Sequence, residues 1–470
     1  MNYNKIFIDG EYIDSLNKDK WIEVENPATK EIFEKVPNAN EQDVDKAVEA
    51  ANRAFKTFSR TTLDERISYI EKFANYLEKH KNEIAKTVQK ELGVTLKWSL
   101  SSHVEKNIDR SRVYAKIAKE YQFSRKEKGC IVVKEPVGVV ALLAPWNYPI
   151  GQIIQKLVPA ILAGNTVICK PSKQTPLSAY YLVEAFKEAG LPKGVFNLIT
   201  GEGVAVGDYL SGHPGIDKVS FTGSTSAGAK VGSKAISEVK RVTLELGGKS
   251  ACLFIDNTNM DNGITHVLNT VFLNAGQTCS ALTRVVILEK DKEEFYSKLK
   301  EQFKNYKMGD PTDESVNVGP VSSKRQYDTV VKYIEIGKKE ATILAGSGYY
   351  SDEKGYYVEP IVFTDVDKNS PLAIDEIFGP VVSVIIAKNI DEMIEISNNS
   401  EYGLSGAIYG DKEKAMEIVP LLRTGGVYVN TSKASMYGPF GGFKKSGIGR
   451  EAGKEGFEAF LETKTIFIED

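Results

Sequence analysis

The clearest candidate for chemistry is Cys279, which lies in the small, polar run Asn274–Ser280. A thiol in such surroundings stays accessible, and its thiolate is a strong nucleophile. The alternative is a small side chain that fills space in a turn. Cys169 and Cys252 lie inside apolar strands and are expected to be buried and inert, and Cys130 has no obvious partner. The residue types alone leave both interpretations of Cys279 open.

Glu245 is the second candidate, because it lies in the apolar run Val242–Leu246 just before two glycines. A carboxylate at the end of a buried strand has two common fates. It is paired with a base, for which Arg241 and Lys249 are the nearest choices, or it is held with a raised pKa for proton transfer. The sequence does not decide between them.

Two glycine-rich segments approach phosphate-binding motifs without matching them. In Gly223–Lys230 the lysine falls one residue too late for a P-loop, and Val231 stands where Ser or Thr is needed. In Gly201–Gly207 the third glycine is one residue too late for the dinucleotide fingerprint. Each segment lies between a predicted strand and a predicted helix, where backbone N–H groups can hold phosphate. We expect either ordinary turns or a cofactor site there.

These candidates belong to a stretch in which apolar strands alternate with helices. Five such alternations in about 110 residues predict a parallel, doubly wound sheet with ligands beyond the C-terminal strand ends. A second α/β stretch is expected from 251 to 442. The predicted strands are Val139–Leu143, Thr166–Cys169, Val195–Ile199, Lys218–Phe221 and Val242–Leu246, and the predicted helices are 148–163, one capped by Thr175 with Pro176 in its first turn, 204–210 and 226–238.

The N-terminal section is predicted to be helical and to carry packing only. One helix is expected from Val44, where apolar residues recur on one helical face. A second is expected to begin at a capping box on Thr62 and to continue to Gly93.

Composition narrows the class of protein. The 470 residues exceed what one core accommodates, so two or more domains are expected. A net charge of −3 argues against nucleic-acid and membrane partners. Four cysteines without a CxxC pair and only four histidines argue against a metal site and a disulfide framework. The N-terminus lacks the order of a signal peptide, which predicts a cytoplasmic protein.

Taken together, the segments resemble the aldehyde dehydrogenase superfamily over essentially the whole chain. The motifs that carry the resemblance occur in order and at the right spacing: Pro145–Pro149, Leu244–Ser250, Gly276–Cys279, Glu376–Pro380 and Pro439–Glu451. The resemblance implies a variant Rossmann-type parallel sheet for the cofactor domain, a second α/β catalytic domain and a small β oligomerisation arm. The implied boundaries are 1–119 with 137–247, then 248–447, and 120–136 with 448–470.

The resemblance also implies oxidation of an aldehyde to the carboxylic acid with NAD or NADP. Cys279 would form a thiohemiacetal, the amide of Asn147 and the Cys279 backbone N–H would bind its oxyanion, and Glu245 would activate water to hydrolyse the thioester. Lys156 and Glu451 align with a pair suggested to relay protons in relatives; an ordinary surface salt bridge is the alternative.

For the cofactor, the resemblance implies that Lys170 and Ser172 contact the adenosine ribose, Gly223 and Ser224 form the pyrophosphate turn, and Glu376 and Phe378 flank the nicotinamide ribose and ring. The full expected cofactor set is Ala144, Pro145, Trp146, Lys170, Ser172, Lys173, Gly203, Phe221, Thr222, Gly223, Ser224, Leu246, Glu376 and Phe378.

One position departs from the family pattern. NAD-preferring relatives usually carry a glutamate where this chain has Lys173. A lysine can pair with a 2′-phosphate that a glutamate would repel, so we expect NADP to be accepted. The alternative is that Lys173 points into solvent and NAD is still preferred.

Residues aligned with the substrate tunnel are Tyr148, Gln152, Gln155 and Phe440. The two glutamines stand where relatives often have bulky apolar groups, which favours a small or hydroxylated aldehyde. The resemblance further implies a homodimer or homotetramer. A hairpin within Phe123–Glu135 and an edge strand within Thr463–Ile468 would pair with a neighbouring subunit.

Three other functions stay open at this stage. In a CoA-acylating relative, CoA rather than water would attack the thioester; the presence of Glu245 favours water. A non-catalytic binding or scaffold protein would not need Cys279, Asn147 and Glu245 together. A Cys/His hydrolase would use Cys279 with His266, but the sequence offers no third member to orient the histidine.

Overall fold

The computed structural model describes residues 1–469 of the chain. Within them the largest sheet has eight strands, five of which are parallel neighbours. Antiparallel strands extend this sheet at both ends. In spatial order its strands are Glu11–Ile13, Ile6–Ile8, Phe196–Leu198, Thr166–Lys170, Val139–Leu143, Lys218–Thr222, Arg241–Glu245 and Gly447–Ile448.

Helices cover both faces of this sheet, and the residues of one central strand show why. Val139, Ala141 and Leu143 belong to one apolar cluster, whereas Val140 and Leu142 belong to another. Because successive side chains of a strand point to opposite faces, a continuous apolar run is what a sheet covered on both sides requires. The predicted doubly wound architecture follows from this pattern.

A second sheet of the described chain has seven strands and its own apolar core. All its neighbours are parallel except the first pair. The strands in spatial order are Thr342–Ala345, Ile361–Thr364, Val381–Ala387, Arg284–Leu288, Ala251–Phe254, Ser405–Tyr409 and Gly426–Val429. The predicted α/β fold with two parallel-stranded sheets is confirmed.

Three smaller antiparallel units complete the strands. One sheet joins Ser124–Glu127, Cys130–Pro136 and Leu461–Phe467. The predicted hairpin and tail strand are both present, and one edge of the tail strand pairs with the hairpin of the same chain, a pairing that the sequence did not predict. The two remaining units pair Trp21–Asn26 with Glu31–Pro37 and Tyr350–Ser351 with Tyr357–Val358.

The α-helices of residues 1–469 are Glu41–Phe58, Leu63–Lys79, Lys81–Leu92, Leu96–Trp98, Lys106–Glu120, Pro149–Ala163, Ala179–Ala189, Asp208–Gly212, Thr225–Ser237, Met260–Phe272, Lys292–Phe303, Lys324–Glu340, Pro371–Ile374, Ile390–Asn398, Lys412–Ile418 and Gly453–Glu458. Short π-helices occupy Ser99–Glu105 and Gly203–Gly207, and 3₁₀ turns occupy Glu289–Asp291, Val419–Leu421 and Lys444–Ser446. None of these helices is long and apolar enough to cross a membrane.

Two helix predictions were wrong. The helix expected to continue from Thr62 to Gly93 is broken at His80, whose backbone ends one helix and begins the next. The helix expected at Thr175 begins instead at Ala179. The physical reason is a tertiary contact: the Glu91 carboxylate accepts hydrogen bonds from the backbone N–H groups of Leu177 and Ser178, at 2.7 and 3.1 Å.

Candidate active site

Cys279 lies in the loop between helix Met260–Phe272 and strand Arg284–Leu288, and part of its surface is accessible. Gly276 fixes this loop, because its φ of +74° favours glycine and a Cβ there would come within 1.9 Å of the Gly379 carbonyl oxygen. The cysteine loop therefore packs directly against the Glu376–Pro380 segment. Cys169 and Cys252, by contrast, are fully buried in strands.

The Cys279 thiol holds its proton tightly. Burial raises its pKa to about 12, and the negative charges of Glu376 and Glu245 act in the same direction. Backbone N–H groups of Ser280 and of Cys279 itself oppose this rise by stabilising the thiolate. The thiol is thus a nucleophile that needs a base, and a carboxylate within electrostatic reach can serve as one.

Glu245 ends strand Arg241–Glu245, and its carboxylate is buried with no hydrogen-bond partner among residues 1–469. Burial raises its pKa well above the usual range, and the negative charge of Glu451 adds to the rise. The positive charges of Lys156 and Arg450 oppose it. Of the two alternatives left open by the sequence, the geometry therefore gives the unpaired carboxyl with a raised pKa.

Neither base considered as a partner pairs with Glu245. Arg241 lies at the other end of the same strand and forms an ion pair with Glu462 at the surface. Lys249 is buried, and within the described chain its ammonium has no hydrogen-bond partner. Burial lowers the pKa of Lys249 to about 7, with the positive charge of Arg284 as a further cause.

Lys156 and Glu451 form an ion pair of 2.7 Å whose side chains are only 0% and 3% exposed. The pair is therefore not the surface salt bridge that the sequence left open. Lys156 also donates to the Thr222 hydroxyl at 2.7 Å, and the Gln155 amide donates to the other Glu451 oxygen at 2.9 Å. This network adjoins Glu245, because both charges act on the pKa of that carboxyl.

The Asn147 side chain is held in one orientation by the cysteine loop. Its amide donates to the Gln277 carbonyl at 2.9 Å, which leaves its second N–H free for another acceptor. Asn274 donates to both the Asn147 and the Gln277 carbonyl oxygens, each at 3.1 Å. Asn274 and Gln277 are thus positioning residues that sequence reasoning missed, although both belong to the run around Cys279.

The four residues predicted for the substrate tunnel lie around this centre. Tyr148 shares a hydrogen bond of 3.0 Å with the hydroxyl of Thr278, next to Cys279. Gln152 follows one helical turn later and accepts from Lys156 at 3.3 Å. Gln155 bonds Glu451, and Phe440 forms a backbone bridge with Glu451. Each of the four is thus linked either to the cysteine loop or to the Lys156–Glu451 pair.

Glu376 and Phe378 belong to the segment that packs against the cysteine loop. Glu376 accepts from the Gly248 N–H at 2.9 Å, and burial raises its pKa to about 7. Gly247 lies so close to this carboxylate that a Cβ there would come within 2.4 Å of it. Phe378 has a φ of +57° and meets the edge of the Trp146 ring, with ring centroids 5.5 Å apart.

The remaining predicted cofactor residues follow the parallel strands. Lys170 donates to the carbonyls of Pro171 and Gly201, at 2.9 and 3.0 Å, and burial lowers its pKa to about 8. Lys173 and Glu202 form an exposed ion pair of 3.0 Å. At the ends of four strands and in the segments that follow them lie Ala144, Pro145, Ser172, Gly203, Phe221, Thr222 and Gly223.

A cleft of about 1090 Å³ connects part of this set. Its walls include Ser224, Leu246 and Glu376. Ser224 caps helix Thr225–Ser237, accepting from the Ala227 N–H at 3.3 Å, so the positive end of a helix faces the cleft. Such a terminus binds phosphate groups, and the walls around it can hold a dinucleotide.

Comparison with known proteins identifies the family of this chain. The model of the aldehyde dehydrogenase family matches residues 12–466. A Staphylococcus haemolyticus protein named as an aldehyde dehydrogenase is 41% identical over 469 residues, which are 99% of this chain and 98% of that protein.

Two solved structures are similarly close. A cysteine-to-alanine variant of aldehyde dehydrogenase C from Pseudomonas syringae, solved with NAD+ and octanal, has a TM-score of 0.96 at 37% identity, covering 99% of this chain and 96% of that one. An NADP-dependent enzyme of E. coli has a TM-score of 0.95 at 32% identity, covering 99% and 98%.

Proposed function

The chain belongs to the aldehyde dehydrogenase family, and from this we propose that it oxidises an aldehyde to the carboxylic acid with NAD+ or NADP+ through a covalent bond to Cys279. The observation that carries the proposal is the shared neighbourhood of an accessible thiol and an unpaired, buried carboxyl. A buried carboxyl that receives no hydrogen bond from residues 1–469 is costly to the fold, and a role in proton transfer accounts for that cost.

The first step is attack of the Cys279 sulfur on the aldehyde carbon. A carbon–sulfur bond forms, the thiol proton passes to Glu245, and the carbonyl oxygen becomes an alkoxide. The free N–H of Asn147 and the Cys279 backbone N–H donate to that oxygen and stabilise its charge. Asn274 and Gln277 keep the Asn147 amide in place for this contact.

The nicotinamide supplies the oxidation when it is bound, by accepting a hydride from the former aldehyde carbon. A thioester then remains on Cys279. Before hydrolysis Glu245 gives up the thiol proton, and it can then take a proton from water. The water oxygen bonds to the thioester carbon, the carbon–sulfur bond breaks, and the carboxylic acid leaves while Glu245 returns its proton to the departing sulfur. The buried pair Lys156–Glu451 adjoins Glu245 and provides groups through which its proton can leave.

The residues present fit a dinucleotide. The capped helix start at Ser224 suits the pyrophosphate, and Glu376, with one oxygen bound by the Gly248 N–H, keeps acceptor capacity for ribose hydroxyls. Lys170 and Ser172 would contact the adenosine ribose. The strained Phe378 backbone and the ring contact with Trp146 define the wall for the nicotinamide.

We further propose that NADP+ is accepted. The support is Lys173, an exposed cation at the position where the resemblance implies a glutamate in NAD-preferring relatives, because a lysine there can pair with a 2′-phosphate. Steady-state rates with both cofactors test this; a kcat/KM at least about tenfold better with NAD+ would contradict it.

The main test is a panel of aldehydes with NAD+ and NADP+, followed by the appearance of reduced nicotinamide. The Cys279→Ser variant should lose about 10⁴-fold or more in kcat, whereas Cys130→Ser, a change at a partly exposed cysteine elsewhere, should not. Equal turnover in wild type and Cys279→Ser would refute the nucleophile. Formation of an acyl-CoA instead of the acid, when CoA is added, would refute hydrolysis by water.

We propose that the chain is divided into a cofactor domain of 1–119 and 137–247, a catalytic domain of 248–447, and an oligomerisation region of 120–136 and 448–470.

The three-stranded sheet exposes Ile466 and Phe467, the latter by 83%, at its edge. An edge strand that ends in exposed apolar side chains is suited to pair with a second subunit, which supports a homodimer or homotetramer. The four unpaired cysteines support a cytoplasmic location, where thiols stay reduced.

A further inference from the structure

Helix Lys106–Glu120 packs against helix Pro149–Ala163, which carries the predicted tunnel residues. Two contacts fix how they face each other. A Cβ at Gly151 would come within 2.7 Å of the Asn107 amide nitrogen, and the Tyr114 hydroxyl donates to the Gln155 carbonyl at 3.1 Å. Arg110 lies between Asn107 and Tyr114 in the sequence, one helical turn from each. Its backbone therefore faces the turn from Gly151 to Gln155.

Arg110 is a cation without an anionic partner. Its guanidinium donates to the Asn107 side chain, and no carboxylate of residues 1–469 lies within 4.0 Å of it. Burial lowers the pKa of Arg110, and the residue is only partly exposed. Glu451 is the acidic group that acts on it, but both Glu451 oxygens already contact Lys156 and Gln155.

Lys106, one helical turn before Arg110 and closer to solvent, is a second basic residue of the same kind. It is exposed, and within the described chain it has no ion pair. Its pKa is lowered by burial and by the positive charge of Arg110. Arg112 on the same helix differs, because it lies beside Glu78 and Asp109, at 3.6 and 3.8 Å. Arg110 and Lys106 repel each other and form no ion pair within residues 1–469, which leaves two positive charges available to an external anion.

The position of Lys106 and Arg110 relative to Cys279 indicates which part of a substrate they could bind. Tyr148, which precedes helix Pro149–Ala163, is hydrogen-bonded to Thr278 beside Cys279. Arg110 lies opposite the turn from Gly151 to Gln155 of that helix, three to seven residues after Tyr148. At 1.5 Å per residue that is about 5–10 Å along the helix axis. The partly exposed amide of Gln152 lies on this stretch and offers a further hydrogen bond.

We propose that the substrate is an aldehyde of about four to eight carbons that bears a carboxylate at its far end, bound by Arg110 with help from Lys106. This inference rests on the proposed function and specifies its substrate class. A guanidinium binds a carboxylate through two parallel N–H···O bonds, which fixes the distance between the bound carboxylate and the reacting carbon. The more exposed Lys106 attracts the anion towards the passage. The product is a dicarboxylate.

The test compares, at each chain length, an ω-carboxy aldehyde with its methyl ester and with the unsubstituted aldehyde. Wild type should favour the carboxylate by about 100-fold in kcat/KM. Arg110→Gln should lose about 100-fold on the carboxylate and no more than about threefold on the neutral aldehydes. Lys106→Gln should lose less and in the same direction. The matched control Arg112→Gln, on the same helix, should change neither.

A second measurement uses binding without turnover. Dicarboxylates of the same lengths should raise the Tm of wild type and of Arg112→Gln but not of Arg110→Gln, and added salt should weaken the effect. The neutral aldehydes show whether Arg110→Gln is folded and active. Equal rates on charged and neutral aldehydes in wild type would overturn this inference and leave the proposed function standing. Oxidation of no aldehyde at all would overturn the proposed function itself.

Discussion

Two ion pairs of similar length lie in opposite environments. Lys156–Glu451, at 2.7 Å, is 0% and 3% exposed beside the proposed catalytic carboxyl, whereas Lys173–Glu202, at 3.0 Å, is 54% and 51% exposed beside the proposed adenosine site. Breaking a buried pair costs about 3–5 kcal/mol, because the remaining charge stays buried. An exposed pair contributes about 0–1 kcal/mol. The comparison teaches that the proposed catalytic step depends on buried charges whose substitution destabilises the fold. Cofactor selection depends instead on exposed charges that can be substituted at little cost in stability.

Apart from loss of the Cys279 nucleophile, the largest predicted effect concerns the buried catalytic region of this comparison. Asn147→Ala removes one donor to the alkoxide and should lower kcat by about 100- to 1000-fold. KM should change little, because the contact strengthens only as charge develops. Asn147→Asp keeps the shape without the donor and should be at least as slow. Single-turnover kinetics measure both, and a loss confined to KM would contradict the role.

The buried pair should set the pH dependence. Glu245 must be deprotonated to act as a base, so activity should rise with pH through its raised pKa. Glu451→Gln removes the negative charge that raises this pKa and should move the rising limb to lower pH. Lys156→Met removes a positive charge that lowers it and should move the limb to higher pH. Shifts of the same sign in both variants would contradict this electrostatic account.

These two substitutions should also lower the free energy of unfolding. Each leaves a charge buried without its partner, so a loss of about 3–5 kcal/mol is expected in denaturant titrations. The pH profiles must therefore be taken where both variants are folded, which circular dichroism establishes.

The exposed pair should give the smallest effect. Glu202→Gln frees Lys173 from its carboxylate and removes a negative charge near the expected 2′-phosphate, so the ratio of kcat/KM for NADP+ over NAD+ should rise about three- to tenfold. Lys173→Gln should lower the same ratio. Neither change should alter Tm by more than about 1–2 °C. An unchanged ratio in both variants would show that this pair does not select the cofactor.

Much of the fold follows from local pattern, and the failures have local causes. Val139–Leu143 is a continuous apolar run, and the structure buries it on both sides as predicted. The break at His80 gives no such signal, because Leu77, Ile84 and Val88 keep the spacing of one continuous face. The late start at Ala179 depends on Glu91, a residue distant in sequence, and no local pattern contains that contact.

The candidate site, like the fold, is predictable from local sequence only in part. The motifs identify Cys279, Asn147 and Glu245 as candidates, and those roles stay predictions. The raised pKa of Glu245 depends on Glu451 and on the depth of burial, which only the folded chain defines. The cations of helix Lys106–Glu120 belong to none of the motifs. An i, i+4 pair of basic residues is usual on a solvated helix face, so Lys106 and Arg110 became informative only once the folded chain showed that neither forms an ion pair within the described residues.

The central claim is a covalent acyl group on Cys279 that Glu245 removes, and one measurement addresses it directly. Glu245→Gln is mixed with aldehyde and NAD(P)+, the reduced nicotinamide is counted, and the intact protein and its peptides are weighed. We predict one reduced nicotinamide per subunit, then arrest, with the acyl mass on the peptide that contains Cys279. Continued turnover with no adduct, or an adduct on another cysteine, would contradict the account.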